Sequence, residues 1–177
     1  LLVKHPQTAI VDFTGSARFG SWVEANAYPA LCYSETSGVN TVVVESVDQL
    51  EPVIRSLATT MSLFSAQMCT SPQNIYVPRD GIRHAGGRIG ADEFGAQLAQ
   101  AMGSIAADPQ RAAPIMAAIQ AEPTPALIDQ VAEAGSRRGR ILLASSPYAH
   151  PEFTHARTRT PLLVGIEAHG DPMTAFK

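Results

Sequence analysis

A chain of 177 residues, 45% of them apolar and 16% charged, has a globular composition and the length for one core, as one domain or two. The net charge is −3, and the basic residues are scattered apart from Arg137-Arg138-Gly139-Arg140, so nucleic-acid binding is unsupported. No run of 18 apolar residues is present to span a membrane, and no charged-then-apolar segment opens the chain as an export signal.

Ala9-Ile10-Val11-Asp12-Phe13 reads as a strand that runs into the turn Thr14-Gly15-Ser16. Ala17 to Asn26 then has helical spacing, with Phe19 and Val23 on one face. Ala30-Leu31-Cys32-Tyr33 is an apolar strand with Glu35 just beyond it, and Thr41-Val42-Val43-Val44-Glu45 is a β-branched strand. Ser46 and Gln49 stand at capping-box spacing ahead of a helix whose face is Val53, Ile54, Leu57, Met61 and Phe64. The helix is expected to end near Phe64, which leaves Cys69 in the loop behind it. Asn74-Ile75-Tyr76-Val77 is a further strand, and the glycine-rich stretch from Asp80 to Gly90 reads as a mobile loop.

Phe94, Leu98, Met102 and Ile105 mark the next amphipathic helix. Thr124 and Pro125 suit the N-cap and first turn of another, with Gly135 at its C-terminal end. Ile141 to Ala144 and Leu162 to Ile166 complete the strands, joined by a surface connection over 145–160. Strands alternating with helices predict an α/β protein with a largely parallel sheet flanked by helices. The chain opens with Leu1-Leu2-Val3 and stops at Lys177, which reads as a portion of a longer protein.

Cys69 follows a helix in a stretch of small and polar residues, where substrate could reach a thiol; a buried structural cysteine is the alternative reading. Cys32, on an apolar strand, is expected in the core. Neither cysteine has metal-ligand spacing or a CxxC partner, and reduced thiols point to the cytoplasm. Glu35 is open between an exposed loop carboxylate and a general base at the end of a strand, where open α/β sheets place ligands. His84, His150 and His155 form no ligand pattern, and no metal is expected.

Taken together, Phe13-Thr14-Gly15-Ser16, Glu35-Thr36-Ser37-Gly38-Val39 and Phe64, Gln67 and Cys69 in Phe-x-x-x-Gln-x-Cys spacing resemble the catalytic segment of the aldehyde dehydrogenase superfamily. The Glu and second Gly of the family's Glu-Leu-Gly-Gly-Lys signature are kept; its first Gly and its Lys are lost. The resemblance implies residues 1–37 as the end of a Rossmann-like NAD(P)-binding domain and 38–177 as a catalytic domain incomplete at its C-terminus. It implies Cys69 as nucleophile, Glu35 as the base that activates water, and Gly15, Ser16, Thr36, Ser37 and Gly38 beside NAD or NADP. A small-molecule aldehyde would be oxidised to its acid by way of a thiohemiacetal and a thioester, and the full-length protein would be a homo-oligomer. The Ser-Glu-Thr-Ser-Gly segment, Cys69-Thr70-Ser71-Pro72-Gln73-Asn74 and Ala156-Arg157-Thr158-Arg159-Thr160-Pro161 look like the phenylacetate-degradation branch, whose substrate is a ring-opened semialdehyde.

Two alternatives stand beside this reading. One is a cysteine acyltransferase or hydrolase without nicotinamide, which would need a histidine to activate the thiol. The other is a truncated or inactive domain that acts only by packing or oligomerisation.

Overall fold

The structure is a computed structural model and describes residues 2–167; the chain end at Lys177 lies outside the described residues. Two compact units are present. One is the chain through Asn40 together with Met68–Thr70, and the other is Thr41–Gln67 together with the chain from Ser71 onward.

In the first unit, β1 (Ile10–Gly15) turns Val11 and Phe13 to a half-buried face. Ser16 then starts α1 (Ala17–Asn26): its backbone is extended and its Oγ accepts the Phe19 N–H at 3.3 Å. Gly20 and Val23 are the buried positions of α1. A Cβ on Gly20 would fall 2.6 Å from Thr36 Cγ2 and 2.8 Å from Ser34 Oγ, so only glycine admits this close approach. Phe19, expected to share a face with Val23, is half-exposed while Val23 is buried, and it stacks on Trp22 at 5.4 Å. The helix presents its smallest residue to the sheet. β2 (Leu31–Thr36) lies parallel to β1, with Ile10 opposite Leu31 and Gly15 opposite Thr36.

The second unit holds the remaining helices and nearly all of the remaining strands. β3 (Asn40–Val43), whose first residue belongs to the first unit, is followed by α2 (Leu50–Ser62), and β4 (Pro72–Tyr76) returns to pair with β3. The capping box expected from Ser46 and Gln49 is not made. Ser46 is held in a backbone bridge to Arg83, and Gln49 takes the N-cap position with no side-chain bond. Beyond β4, β5 (Ile82–His84) and β6 (Gly87–Ile89) form an antiparallel hairpin in place of the expected mobile loop. The glycines serve this turn. Gly87 has φ +127°, and Gly81, at φ +92°, has no room for a Cβ, which would meet the Ile89 carbonyl oxygen at 2.4 Å.

α3 (Ala91–Ala106) buries Phe94, Leu98 and Met102 at four-residue spacing. They pack with Ile54 and Ala58 of α2 and with Val44, Ile82 and Ile89, and this cluster is the core of the unit. Each large side chain so buried contributes about 1.5–3 kcal/mol. Asp108 caps the short α4 (Pro109–Ala112) through its Oδ1 and the Gln110 N–H at 3.0 Å. α5 (Thr124–Arg138) has Pro123 at its N-cap rather than Thr124. Gly135 lies inside α5 rather than at its end, because a Cβ there would meet Val164 at 2.8 Å; Gly139 ends the helix. β7 (Gly139–Leu143) and β8 (Leu163–Ile166) pair antiparallel.

The architecture is mixed α/β with small sheets. In place of one largely parallel sheet, the described strands pair in twos, with β1–β2 parallel and β5–β6 and β7–β8 antiparallel. β5 and β6 are joined by only Ala85 and Gly86, far too short for the crossover that parallel strands need.

Candidate active site

α2 ends at Ser62 because Leu63 leaves the helical region, at φ −60° and ψ 128°. A tight 3-10 turn over Leu63–Ala66 follows, and three consecutive residues in it are left-handed: Phe64 at φ 52°, Ser65 at 54° and Ala66 at 56°. Non-glycine residues pay roughly 1–2 kcal/mol each for that conformation. Hydrogen bonds to the segment 115–120 offset the strain. The Phe64 N–H donates to the Ile115 carbonyl at 2.8 Å, and Ser65 Oγ donates to the Ala117 carbonyl at 2.8 Å.

Gln67 completes this anchor. Its Nε2 donates to the Phe64 carbonyl at 3.0 Å and to the Ala118 carbonyl at 3.1 Å, and its Oε1 accepts the Gln120 N–H at 2.9 Å. Arg157 holds the same segment from the other side, donating to the carbonyls of Ile119 at 3.2 Å and Gln120 at 2.7 Å. The Gln of the Phe-x-x-x-Gln-x-Cys pattern thus fixes the backbone two residues ahead of Cys69.

Cys69 is an exposed, free thiol in a turn. It belongs to the same compact unit as Glu35. Asn40 Nδ2 donates to the Cys69 carbonyl at 2.5 Å, and a Cβ placed on Gly38 would stand 3.5 Å from that carbonyl oxygen. The end of the Glu35-to-Gly38 signature and the thiol-bearing turn therefore meet. Cys32, expected in the core, is half-buried on β2, since its side of the strand is only partly covered.

Glu35 lies within β2 rather than beyond it and is exposed, on the face it shares with Leu31 and Tyr33. Its partner in register is Thr14, and Gly15 pairs with Thr36. Both carboxyl ends of the parallel pair therefore present the glycine, serine and threonine residues singled out above. Ser16 caps α1, whose first N–H groups have no acceptor within the helix and suit an anion. Ser37 is exposed and Gly38 half-buried just past the end of β2.

Asn40 had no signal in local spacing; the hint was its place two residues after the kept glycine of the signature. Two of the candidate histidines bond to nearby backbone: His84 Nδ1 accepts the Gly86 N–H at 3.2 Å, and His150 Nδ1 accepts those of Glu152 and Phe153, each at 3.1 Å. Among the described residues, no three His, Cys, Asp or Glu side chains converge on a metal position. No described helix is long and apolar enough to cross a membrane. A surface groove between α3 and β7, where Arg140 bridges to Asp92 at 2.7 Å, includes none of the candidate residues.

Comparison with known proteins bears on the same stretch. The sequence pattern of the aldehyde dehydrogenase family matches residues 1–164. Among solved structures, the NAD-dependent aldehyde dehydrogenase from Burkholderia multivorans is 42% identical with a TM-score of 0.84, over 92% of this chain and 28% of that one. The gamma-glutamyl-gamma-aminobutyraldehyde dehydrogenase from Burkholderia cenocepacia shares the fold at 19% identity and a TM-score of 0.71, over 94% of this chain and 33% of that one. A curated relative, the 3-succinoylsemialdehyde-pyridine dehydrogenase of a Pseudomonas species, is 32% identical over 79 residues, which is 44% of this chain and 17% of the relative. The chain spans well under two thirds of the length of each.

Proposed function

The chain belongs to the aldehyde dehydrogenase family, and on that premise we propose that its whole protein oxidises an aldehyde to a carboxylic acid with Cys69 as the nucleophile. The observation that carries this reading is the meeting of the Glu35-to-Gly38 signature with the exposed Cys69 turn, through Asn40 and Gly38. Residues 1–37 are the end of the cofactor domain, and 38–177 begin the catalytic domain. In the whole protein the parallel pair β1–β2 extends into a largely parallel sheet, and the protein assembles as a homo-oligomer in the cytoplasm, where both thiols stay reduced.

In this mechanism Cys69 Sγ bonds to the aldehyde carbon, and the carbonyl oxygen becomes an oxyanion to which the Cys69 backbone N–H would donate a hydrogen bond. NAD or NADP, when bound, supplies a hydride acceptor. Gly15, Ser16, Thr36, Ser37 and Gly38 would hold it: they are small, stand at the adjoining ends of β1 and β2, and include the capped start of α1. Glu35 takes a proton from the water that releases the acid from Cys69.

The substrate class is a semialdehyde from a ring-opened aromatic, as in phenylacetate catabolism. Its support is the Ser34-to-Gly38 segment and a relative named for a semialdehyde. Turnover by the whole protein tests the reading: Cys69→Ala should abolish aldehyde-dependent cofactor reduction, and full activity in that variant would end it. Glu35→Gln should slow turnover by about 10²–10⁴-fold.

A further inference from the structure

We propose that Asn40 is a positioning residue for the Cys69 nucleophile, a role that rests on the reading of Cys69 given above. Cys69 lies in a turn, where no strand ladder or helix fixes its peptide. Asn40 supplies that constraint across 29 residues of sequence, its Nδ2 donating to the Cys69 carbonyl. Both residues belong to the same compact unit.

The anchor is itself held, because Asn40 is the first residue of β3. Gly38 lies beside the same contact, where a Cβ would stand 3.5 Å from both the Asn40 amide and the Cys69 carbonyl oxygen. A fixed carbonyl sets the torsion about Cys69, whose Cα carries both the thiol and the N–H that would meet an oxyanion. Asn40 touches neither substrate nor cofactor in this account; it acts through the Cys69 backbone. The residue type is demanding: aspartate has the same shape and cannot donate when ionised, and alanine offers nothing.

The test separates two reactions of the same thiol in the full chain. Acylation of Cys69 by p-nitrophenyl acetate forms an S–C bond, passes through an oxyanion, expels p-nitrophenolate and gives the thiol proton to solvent. Alkylation by iodoacetamide displaces iodide and builds no oxyanion. Asn40→Ala should slow acylation about tenfold and change alkylation of Cys69 by no more than about twofold, with Asn40→Gln recovering most of the lost rate. Asn40→Asp should match the alanine variant, and it decides the matter if alanine disturbs the fold, which faster Cys32 labelling would reveal. Unchanged acylation in Asn40→Asp, or equal loss in both reactions, overturns the positioning role. Acylation that survives Cys69→Ala would instead sink the reading of Cys69 as nucleophile, and the role of Asn40 with it.

Discussion

Ala66 sits at φ 56°, in a run of three left-handed residues that glycine would occupy without strain. Ala66→Gly should therefore be neutral or stabilise by up to about 1 kcal/mol, against the usual cost of added chain entropy; urea unfolding reads the sign, and a clear loss would show the turn is not strained. Gly20 is the opposite case. Gly20→Ala pushes a methyl into Thr36 and Ser34 and should cost about 1–3 kcal/mol in the same measurement. Cys69, Glu35 and the Gly15-Ser16 turn were legible as candidates because their order and spacing form a pattern. Asn40 was not, since a hydrogen bond between residues 29 apart leaves no periodic trace in sequence.

Elements were legible where one face carries the signal. Phe94, Leu98 and Met102 announced α3 and are its buried stripe. Ends were harder, because tertiary contacts decide them: Ser46 is taken by Arg83, and Gly135 is small to admit Val164 rather than to stop a helix. The hairpin of β5 and β6 was missed because its strands are only three residues each. The connection over 145–160 has almost no regular structure and is held by side chains, among them Tyr148, whose hydroxyl donates to the Met116 carbonyl at 3.1 Å. Burial pushes the Tyr148 hydroxyl above its ordinary value. The folded state then keeps this proton to higher pH than the unfolded chain. The resulting stability is complete below about pH 10 and is lost as pH rises past it. Tyr148→Phe should cost about 1 kcal/mol near neutral pH and make the alkaline fall in stability shallower, as read by unfolding at pH 8 and pH 11.

At the scale of the whole molecule, the parallel pair β1–β2 is covered by α1 on one face and bare on the other. Ile10, Leu31 and Tyr33 are about 60% exposed there. Parallel strands are ordinarily buried on both faces, and this chain spans 28% of its 42%-identical structural relative. The isolated chain should therefore self-associate through that face, and a clean monomer at high concentration on a sizing column would count against it. The most direct measurement for the central claim is peptide-resolved labelling with limiting iodoacetamide at neutral pH, with and without added aldehyde. Exposure alone would let Cys69 react before the half-buried Cys32. The account predicts more: aldehyde slows Cys69 and leaves Cys32 unchanged, because the thiol is occupied as a thiohemiacetal. Labelling of Cys69 that ignores the aldehyde would contradict a working nucleophile in this chain.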